Sequence, residues 1–293
     1  MPRTIDFVVT SEYDGMKLFR FLRGGAKLSS RLVSSLKHYD NGIMRSGLKI
    51  RTIDKVKAGD VITITLPDDE TGAEPIESQL DILYEDNDLL IVNKPAMLAM
   101  HPTHNHQGDT LANAVSWHLK KEGKTAVFRS VGRLDKGTSG VVVCALNRYS
   151  AARLSGNIQK EYLAVVTKEF TGEGTINVPI YRPDPMKTLR ASGHTQGAES
   201  AVTHWQSIKS GKGISLLRVW LDTGRTHRIR VHFAHLGAPL LGDTMYGDAN
   251  SQIGHQLLHC HKASFIHPTT NEPITVAAKI PHEFSICDKY VFL

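Results

Sequence analysis

A glycine-bounded stretch, residues 132–140, places a carboxylate two positions after a guanidinium, as Arg133 and Asp135 with Leu134 between them. An apolar run, residues 141–146, follows at once. If the stretch is extended, successive side chains alternate, so Arg133 and Asp135 share one face and Leu134 takes the other. The pattern predicts an accessible carboxylate at the mouth of a buried strand, where it could act as a nucleophile or stabilise a developing cation.

An ionised aspartate in a closed pocket needs a positive partner, and two arginines of a later segment are available for that role. Arg225 and Arg230 lie within residues 223–232, a segment rich in basic side chains. A buried carboxylate without such a partner would take up a proton instead. Tyr162 offers an aromatic ring and a phenol, although on its own a tyrosine in a strand-like run is more typical of a core strand.

Strands are the elements that must position these groups, because most apolar runs of the chain are short. The strand-like runs beyond residue 80 are 82–83, 89–92, 141–146, 162–167, 214–221 and 274–278. Fewer helical patterns are interspersed among them. We therefore predict an α+β fold around a mixed, largely antiparallel sheet.

A domain boundary is expected between residues 67 and 79. This stretch is acidic, short of apolar residues and bracketed by prolines, which is the composition of a linker. The sequence thus predicts a small N-terminal domain at 1–67, a linker at 68–79 and a larger domain at 80–293.

The N-terminal segment holds the positive excess of the chain. Residues 1–66 contain twelve Lys or Arg and six Asp or Glu, so their net charge of +6 equals that of the whole chain. Such a concentration is typical of a surface for a polyanion, and a solvated basic surface would look the same. Residues 18–23 and 28–37 predict two short amphipathic helices, followed by short strands broken by glycine.

The string Arg-Leu-Asp-x-x-Thr-Ser-Gly at residues 133–140 resembles the catalytic signature of the RluA-type pseudouridine synthases, which isomerise uridine in structured RNA. Further segments on both sides of this string match the family in its order. They are 82–102 with its Asn93-Lys94-Pro95 turn, 110–118, 160–166, 223–232 and 237–247. The N-terminal pattern resembles the α-L RNA-binding module named after a small-subunit ribosomal protein. The resemblance implies a pseudouridine synthase fold in the larger domain and an α-L fold in the smaller one.

The resemblance also implies roles for the candidate residues. Asp135 would be the catalytic carboxylate, Arg230 its salt-bridge partner, and Tyr162 the ring that stacks on the target base. Arg133 would reach toward RNA and fill the gap left by a flipped nucleotide. Arg225 would organise its loop or contact phosphate.

Other basic residues are expected to contact RNA outside the catalytic centre. Arg31 and Lys37 belong to the basic N-terminal domain, and Arg190 lies in the loop at 181–196. That loop could fold over RNA as a basic arm or be a solvated hairpin. The chain departs from the family's usual residues at Gly132, Glu199 and Arg228, where histidine, lysine and glutamine are common.

Pseudouridine formation detaches uracil, rotates it and reattaches it through a ring carbon, so the resemblance implies no metal or redox cofactor. The expected partner is structured RNA, ribosomal in preference to transfer RNA, with no membrane and no obligate protein partner. Neither a membrane-length apolar run nor a signal-peptide core is evident, and the three scattered cysteines suit a reducing compartment. The cytoplasm is therefore the expected location.

Two clusters of histidine raise the alternative of a metal site. They are His101, His104 and His106, and then His255, His259 and His261 around Cys260. Neither has the spacing of the common zinc motifs, so we predict no metal, and a metal-dependent nuclease or deaminase is disfavoured. The remaining alternative is a catalytically silent RNA-binding or ribosome-assembly protein of the same fold.

Overall fold

The computed structural model describes residues 3–67, 72–103, 107–124, 127–222, 224–247 and 253–287. Part of the predicted linker (68–71), Thr223, His104 and His106 lie outside the described residues. The N-terminal part comprises β1 (Thr4–Val8), α1 (Leu18–Gly24), α2 (Ser30–Leu36), β2 (Ile43–Arg45), β3 (Leu48–Lys49) and β4 (Val61–Thr65). A short 3-10 helix, Ser11–Tyr13, follows β1.

The N-terminal strands form one antiparallel sheet in the order β1-β4-β2-β3. The two predicted helices are confirmed, and the second begins at Ser30 because the Ser29 side chain accepts a hydrogen bond from the Leu32 amide at 3.1 Å. Leu22 and Leu36 of these helices are fully buried with Ile62 and Ile64 of β4. Residues 5–66 thus form a separate apolar core, which one residue of the larger part, Tyr149, joins, while the domain bounds at 67 and 79 stay a prediction.

The larger part contains many short strands and three helices among its described residues. In chain order they are β5 (Ile82–Glu85), β6 (Leu89–Lys94), α3 (Leu111–Lys121), β7 (Arg129–Ser130), β8 (Ser139–Ala145), α4 (Arg148–Leu154), β9 (Gln159–Val166), β10 (Glu173–Asn177), β11 (Ile180–Tyr181), β12 (Ala191–Ser192), β13 (Val202–Gly211), β14 (Ile214–Leu221), α5 (Arg228–His235), β15 (Leu258–Ile266) and β16 (Pro273–Ala277). A 3-10 helix, His282–Ser285, follows β16.

One sheet of the larger part joins most of these strands in the order β10-β13-β14-β9-β15-β8-β6-β5, with β16 on β15 and β7 on β8. Its strand pairs in the described part of the chain are antiparallel except for β15 with β8. The strands β11 and β12 form a separate hairpin. The predicted α+β fold with a mixed, largely antiparallel sheet is confirmed.

Strand β8 lies inside this sheet between β15 and β6, and its position follows from its composition. All seven of its residues are buried, as expected for an apolar run that has neighbours on both edges. Just before it, the Thr138 amide donates to the Asp135 carbonyl at 3.0 Å, which closes a tight turn. The turn therefore holds Asp135 where this buried strand begins. No helix within the described ranges has the length and apolar character to cross a membrane.

Candidate active site

Asp135 lies in the loop that leads into β8. Leu134 is buried, Arg133 is exposed, and the Asp135 side chain keeps 18% of its surface accessible. The predicted alternation of these three side chains is confirmed. Leu134 anchors the loop in the core, so that the carboxylate is held at the surface of a cleft.

Arg230, in the first turn of α5, joins Asp135 to a second carboxylate. Its Nε and Nη2 donate to the two oxygens of Asp243 at 2.7 and 2.8 Å, and its Nη1 donates to Asp135 Oδ2 at 3.2 Å. Asp243 is fully buried, and it also accepts the backbone amides of Met245 and Tyr246. Burial alone would lower the pKa of Arg230, but the hydrogen bond and charge of Asp243, together with Asp135, raise it. The guanidinium is thus a permanent, fixed positive charge beside Asp135.

Tyr162 projects from β9 into the same region and is 8% exposed. Burial, with Cys260 and then Asp135 as nearby negative or polar groups, raises the pKa of Tyr162 well above its usual value. The phenol therefore keeps its proton at neutral pH. It can donate a hydrogen bond and present a ring face, but it is a poor proton acceptor.

The cleft beside Asp135 has a volume of about 400 Å³. Arg133, Asp135, Tyr162 and Arg225 line it, and Lys160 adds a further positive charge. Arg230 contacts Asp135 and lines a smaller pocket that shares Asp135 and Tyr162 with this cleft. The structure therefore brings the residues predicted for catalysis, and two of those predicted for RNA binding, to one cleft.

Lys94 of β6 binds the backbone of the loop that carries Asp135. It is fully buried, and its Nζ donates to the carbonyls of Pro95, Leu98 and Lys136 at 2.9, 2.8 and 3.0 Å. Burial lowers the pKa of Lys94 to about 7, while the charge of Asp135 opposes that shift. Because Lys136 follows Asp135 directly, Lys94 fixes the backbone of the loop that carries Asp135 to the Asn-Lys-Pro turn.

Arg225 lines the cleft, whereas the other three residues predicted to contact RNA outside the catalytic centre do not. Arg225 Nη1 pairs with Glu199 Oε1 at 2.9 Å, so the Glu199 departure gives Arg225 a local partner. The guanidinium of Arg190 donates to the carbonyls of Thr188 and Leu189 in its own hairpin. Arg31 and Lys37 are exposed on α2 and directly after it, and they do not line the cleft.

The structure also shows which way Arg228 faces. Its side chain is 1% exposed and its Nη1 donates to the Val202 carbonyl at 2.8 Å. Burial, and then the charge of Arg225, lower its pKa to about 10. Arg228 therefore packs inward against β13 rather than presenting its charge to the solvent.

Histidines of the second cluster make ordinary polar contacts. His259 Nδ1 lies 2.9 Å from Ser139 Oγ, and His261 Nδ1 lies 3.0 Å from the Ala278 carbonyl. In the part of the chain that the structure describes, no group of three or more His, Cys, Asp or Glu side chains could hold a metal ion.

Sequence analysis assigned no role to Lys94, His227, Asp243 or Tyr246, although each lies in a segment that resembles the family. Lys94 binds the backbone carbonyl of Lys136, next to Asp135. His227 faces Asp135, and both Asp243 and Tyr246 contact Arg230. The signal that could have found Asp243 is its polarity in an otherwise apolar segment, since a buried carboxylate requires a cationic partner.

Comparison with known proteins identifies the family of the chain. The family model for RNA pseudouridylate synthase matches residues 88–235, about half of the chain, and this range includes Asp135, Tyr162 and Arg230. The chain belongs to this family, and it is an RNA pseudouridine synthase of the RluA type.

Individual relatives cover nearly all of the chain. It is 36% identical to the RNA pseudouridine synthase YhcT of Bacillus subtilis, over 98% of both chains. It is 35% identical to ribosomal large subunit pseudouridine synthase D of Xylella fastidiosa, over 87% of this chain and 82% of that protein. Among solved structures, human RNA pseudouridylate synthase domain containing 1 is 25% identical, with a TM-score of 0.59 over 74% of this chain and 91% of its own.

Proposed function

We propose that this enzyme isomerises specific uridines of ribosomal RNA to pseudouridine, with Asp135 as its essential carboxylate. The observation that carries the proposal is the arrangement of Asp135, whose Oδ2 is held by Arg230 at 3.2 Å beside the Tyr162 ring in one cleft. The fixed positive charge of Arg230 would orient the carboxylate toward the substrate.

The reaction breaks the bond from uracil N1 to ribose C1′ and forms a bond from uracil C5 to the same carbon. The proton on C5 leaves and N1 gains one, so no atom is gained or lost overall. Asp135 would attack the substrate as a nucleophile or stabilise the cation that develops on the sugar. The Tyr162 ring would stack on the uracil, and Arg133 would take the place of the flipped nucleotide in the RNA.

Ribosomal RNA is the substrate class that the relatives favour, since several are named ribosomal large subunit pseudouridine synthase D. The basic N-terminal segment, with Arg31 and Lys37 exposed, supports a large structured RNA as the partner. We assign residues 1–67 to an α-L RNA-binding domain, 68–79 to a linker and 80–293 to the catalytic domain. A ribosomal substrate would place the enzyme in the cytoplasm.

The test is release of tritium from RNA labelled at uracil C5, with ribosomal and transfer RNA assayed separately. Wild type is expected to release tritium from ribosomal RNA, and Asp135→Asn to lower the rate by at least about 1,000-fold. Release from transfer RNA alone would overturn the substrate class. Tight RNA binding without release from either RNA would instead favour the catalytically silent RNA-binding protein.

A further inference from the structure

His227 faces the oxygen of Asp135 that Arg230 does not hold. It stands directly before α5 with φ 59° and ψ 13°, a left-handed conformation. Its Nε2 lies 3.8 Å from Asp135 Oδ1, and its side chain is 10% exposed. Arg230 binds the other oxygen, Oδ2. The two oxygens of the Asp135 carboxylate therefore face two different side chains, His227 and Arg230, which are three positions apart in the chain.

The second ring nitrogen of His227 is held by Tyr246. Nδ1 lies 2.8 Å from the Tyr246 hydroxyl, and that hydroxyl accepts the backbone N–H of Arg190 at 2.9 Å. Burial raises the pKa of Tyr246, so the phenol keeps its one proton. Because the Arg190 amide already donates to that oxygen, the geometry directs the phenol proton to His227 Nδ1 as its acceptor.

This arrangement favours one tautomer of His227. With Nδ1 as an acceptor, the neutral ring carries its proton on Nε2, the atom nearest to Asp135. Burial lowers the pKa of His227, and the charges of Arg230 and Arg190 lower it further. The charges of Asp135 and Asp243 raise this pKa but do not offset the lowering, so the neutral ring is the stable form. The Tyr246 ring is itself fixed, because the Arg230 guanidinium lies 5.0 Å from its centroid.

We propose that His227 is a positioning residue for the reaction, whose Nε2–H holds Asp135 Oδ1, and that Tyr246 sets the tautomer this requires. The proposal rests on Asp135 being the essential carboxylate. With both oxygens held, the plane of the carboxylate is fixed relative to the bound uridine. The 3.8 Å separation is longer than a hydrogen bond, and a small rotation of either side chain on RNA binding would close it.

A matched pair of amides tests the proposal at position 227. The amide nitrogen of His227→Gln reaches the place of Nε2, whereas that of His227→Asn reaches only the place of Nδ1. We expect His227→Asn to lower kcat about 10- to 100-fold with little change in KM, and His227→Gln to recover most of that loss. Asparagine tolerates the left-handed backbone better than glutamine, so misfolding would produce the opposite order. His282→Asn, at an exposed histidine, is the control.

Tyr246→Phe tests the tautomer separately. Nitrogen-15 NMR of histidine-labelled protein, with the His227 signal assigned by its loss in His227→Gln, should show the Nε2–H tautomer in wild type and a mixture in Tyr246→Phe. In kinetics, Tyr246→Phe should lower kcat in the wild-type background and have a much smaller effect in the His227→Gln background.

The outcomes separate this inference from the proposed function. If Asp135→Asn is inactive while His227→Asn retains wild-type kcat, or if wild type shows the Nδ1–H tautomer, the positioning role of His227 is wrong and the function stands. If Asp135→Asn remains active, the proposed function fails and the positioning role fails with it. Equal losses in His227→Asn and His227→Gln would assign His227 a purely structural role.

Discussion

At the scale of single residues, Arg230 serves two carboxylates in unequal ways. Asp243 takes the fork formed by Nε and Nη2, at 2.7 and 2.8 Å, and Asp135 takes only Nη1. A planar guanidinium can satisfy both partners at once, because its donors diverge in a fixed plane. Asp243 thus orients the arginine, and the remaining N–H is aimed at Asp135.

Replacing Arg230 with lysine keeps the charge but removes this geometry. One ammonium cannot make the paired bond to Asp243 and also reach Asp135 in a fixed direction, so we expect Arg230→Lys to lower kcat by about 100-fold. Tritium release under single-turnover conditions measures the loss. Arg218→Lys, at a partly exposed arginine 3.6 Å from Glu161, is the control and should stay near wild type. A similar kcat in both variants would contradict a geometric role for Arg230.

Lys94 makes stability depend on pH in a direction that can be derived. Its pKa is lowered from 10.5 to about 7 by burial, so between these values the unfolded chain binds more protons than the folded one. The free energy of unfolding of wild type should therefore rise with pH across this range relative to Lys94→Met, by up to about 1.4 kcal/mol per pH unit. Urea unfolding at a series of pH values measures it. The control is Lys168→Met, at an exposed lysine, whose free energy of unfolding should change with pH as that of wild type does. The same pH dependence in Lys94→Met and wild type would refute the prediction.

At the scale of elements, the pairing of β8 with β15 depends on a glycine. Gly140 has φ +110°, and an added Cβ would overlap the Cys260 carbonyl of the neighbouring strand. The parallel pair approaches this closely only because position 140 has no side chain. The strand that follows the Asp135 loop is therefore fixed in register by backbone contact.

Gly140→Ala should accordingly destabilise the protein far more than an ordinary glycine substitution. We expect a loss of at least about 3 kcal/mol in the free energy of unfolding, from backbone strain and overpacking together. Gly172→Ala is the matched control, because Gly172 has φ +72° with nothing within 4 Å of the added Cβ. It should lose about 1 kcal/mol from backbone strain alone. Urea unfolding measures both losses. Equal losses of unfolding free energy in Gly140→Ala and Gly172→Ala would show that small backbone shifts relieve the overlap with the Cys260 carbonyl.

The elements that sequence analysis found are those with a local signal. The run that became β8 and the helices α1 and α2 are marked by apolar periodicity and by turn or capping residues such as Ser29. Strand β1 was not predicted, because its pairing with β4 involves residues almost sixty positions away. The order of the strands in the large sheet was beyond reach for the same reason.

The site divides in the same way. Arg133, Leu134 and Asp135 alternate as expected from local geometry alone. The approach of Arg230 to Asp135 was expected only from the family resemblance, since 95 positions separate them. The inward orientation of Arg228 and the three carbonyl partners of Lys94 depend on packing between separate loops, for which a single sequence carries no signal.

At the scale of the whole molecule, the N-terminal sheet and the large sheet are joined by a buried carboxylate. Asp88, between β5 and β6, accepts two hydrogen bonds from Arg3 at 3.1 and 2.7 Å. It also accepts from Asn147 and Thr269, at 2.8 and 2.7 Å. Beside it, the Tyr149 ring of α4 is buried in the N-terminal core. This interface sets the direction of the basic N-terminal surface relative to the Asp135 cleft.

Asp88→Asn tests whether this carboxylate secures the interface. The substitution replaces one carboxylate oxygen, an acceptor, with an NH₂ group, a donor. This NH₂ group would face an N–H of Arg3 or Asn147, so a buried hydrogen bond would be replaced by two donors that face each other. We expect a loss of about 3 kcal/mol in the free energy of unfolding. The loss should be accompanied by earlier proteolysis near the junction of the two parts, because Arg3 is freed. Arg3→Met should lose only about 1 kcal/mol, since its side chain is already 37% exposed.

The control for Asp88 is another aspartate of the same region with a single polar partner. Asp81 is exposed and accepts from the Asn93 amide at 2.9 Å, so Asp81→Asn should change stability by no more than about 0.5 kcal/mol. If Asp88→Asn unfolds like Asp81→Asn, the two sheets are held by the Tyr149 contact rather than by the carboxylate. If it loosens the N-terminal part while single-turnover kcat is unchanged and KM for ribosomal RNA rises, the interface acts in RNA capture and the chemistry depends on the large sheet alone.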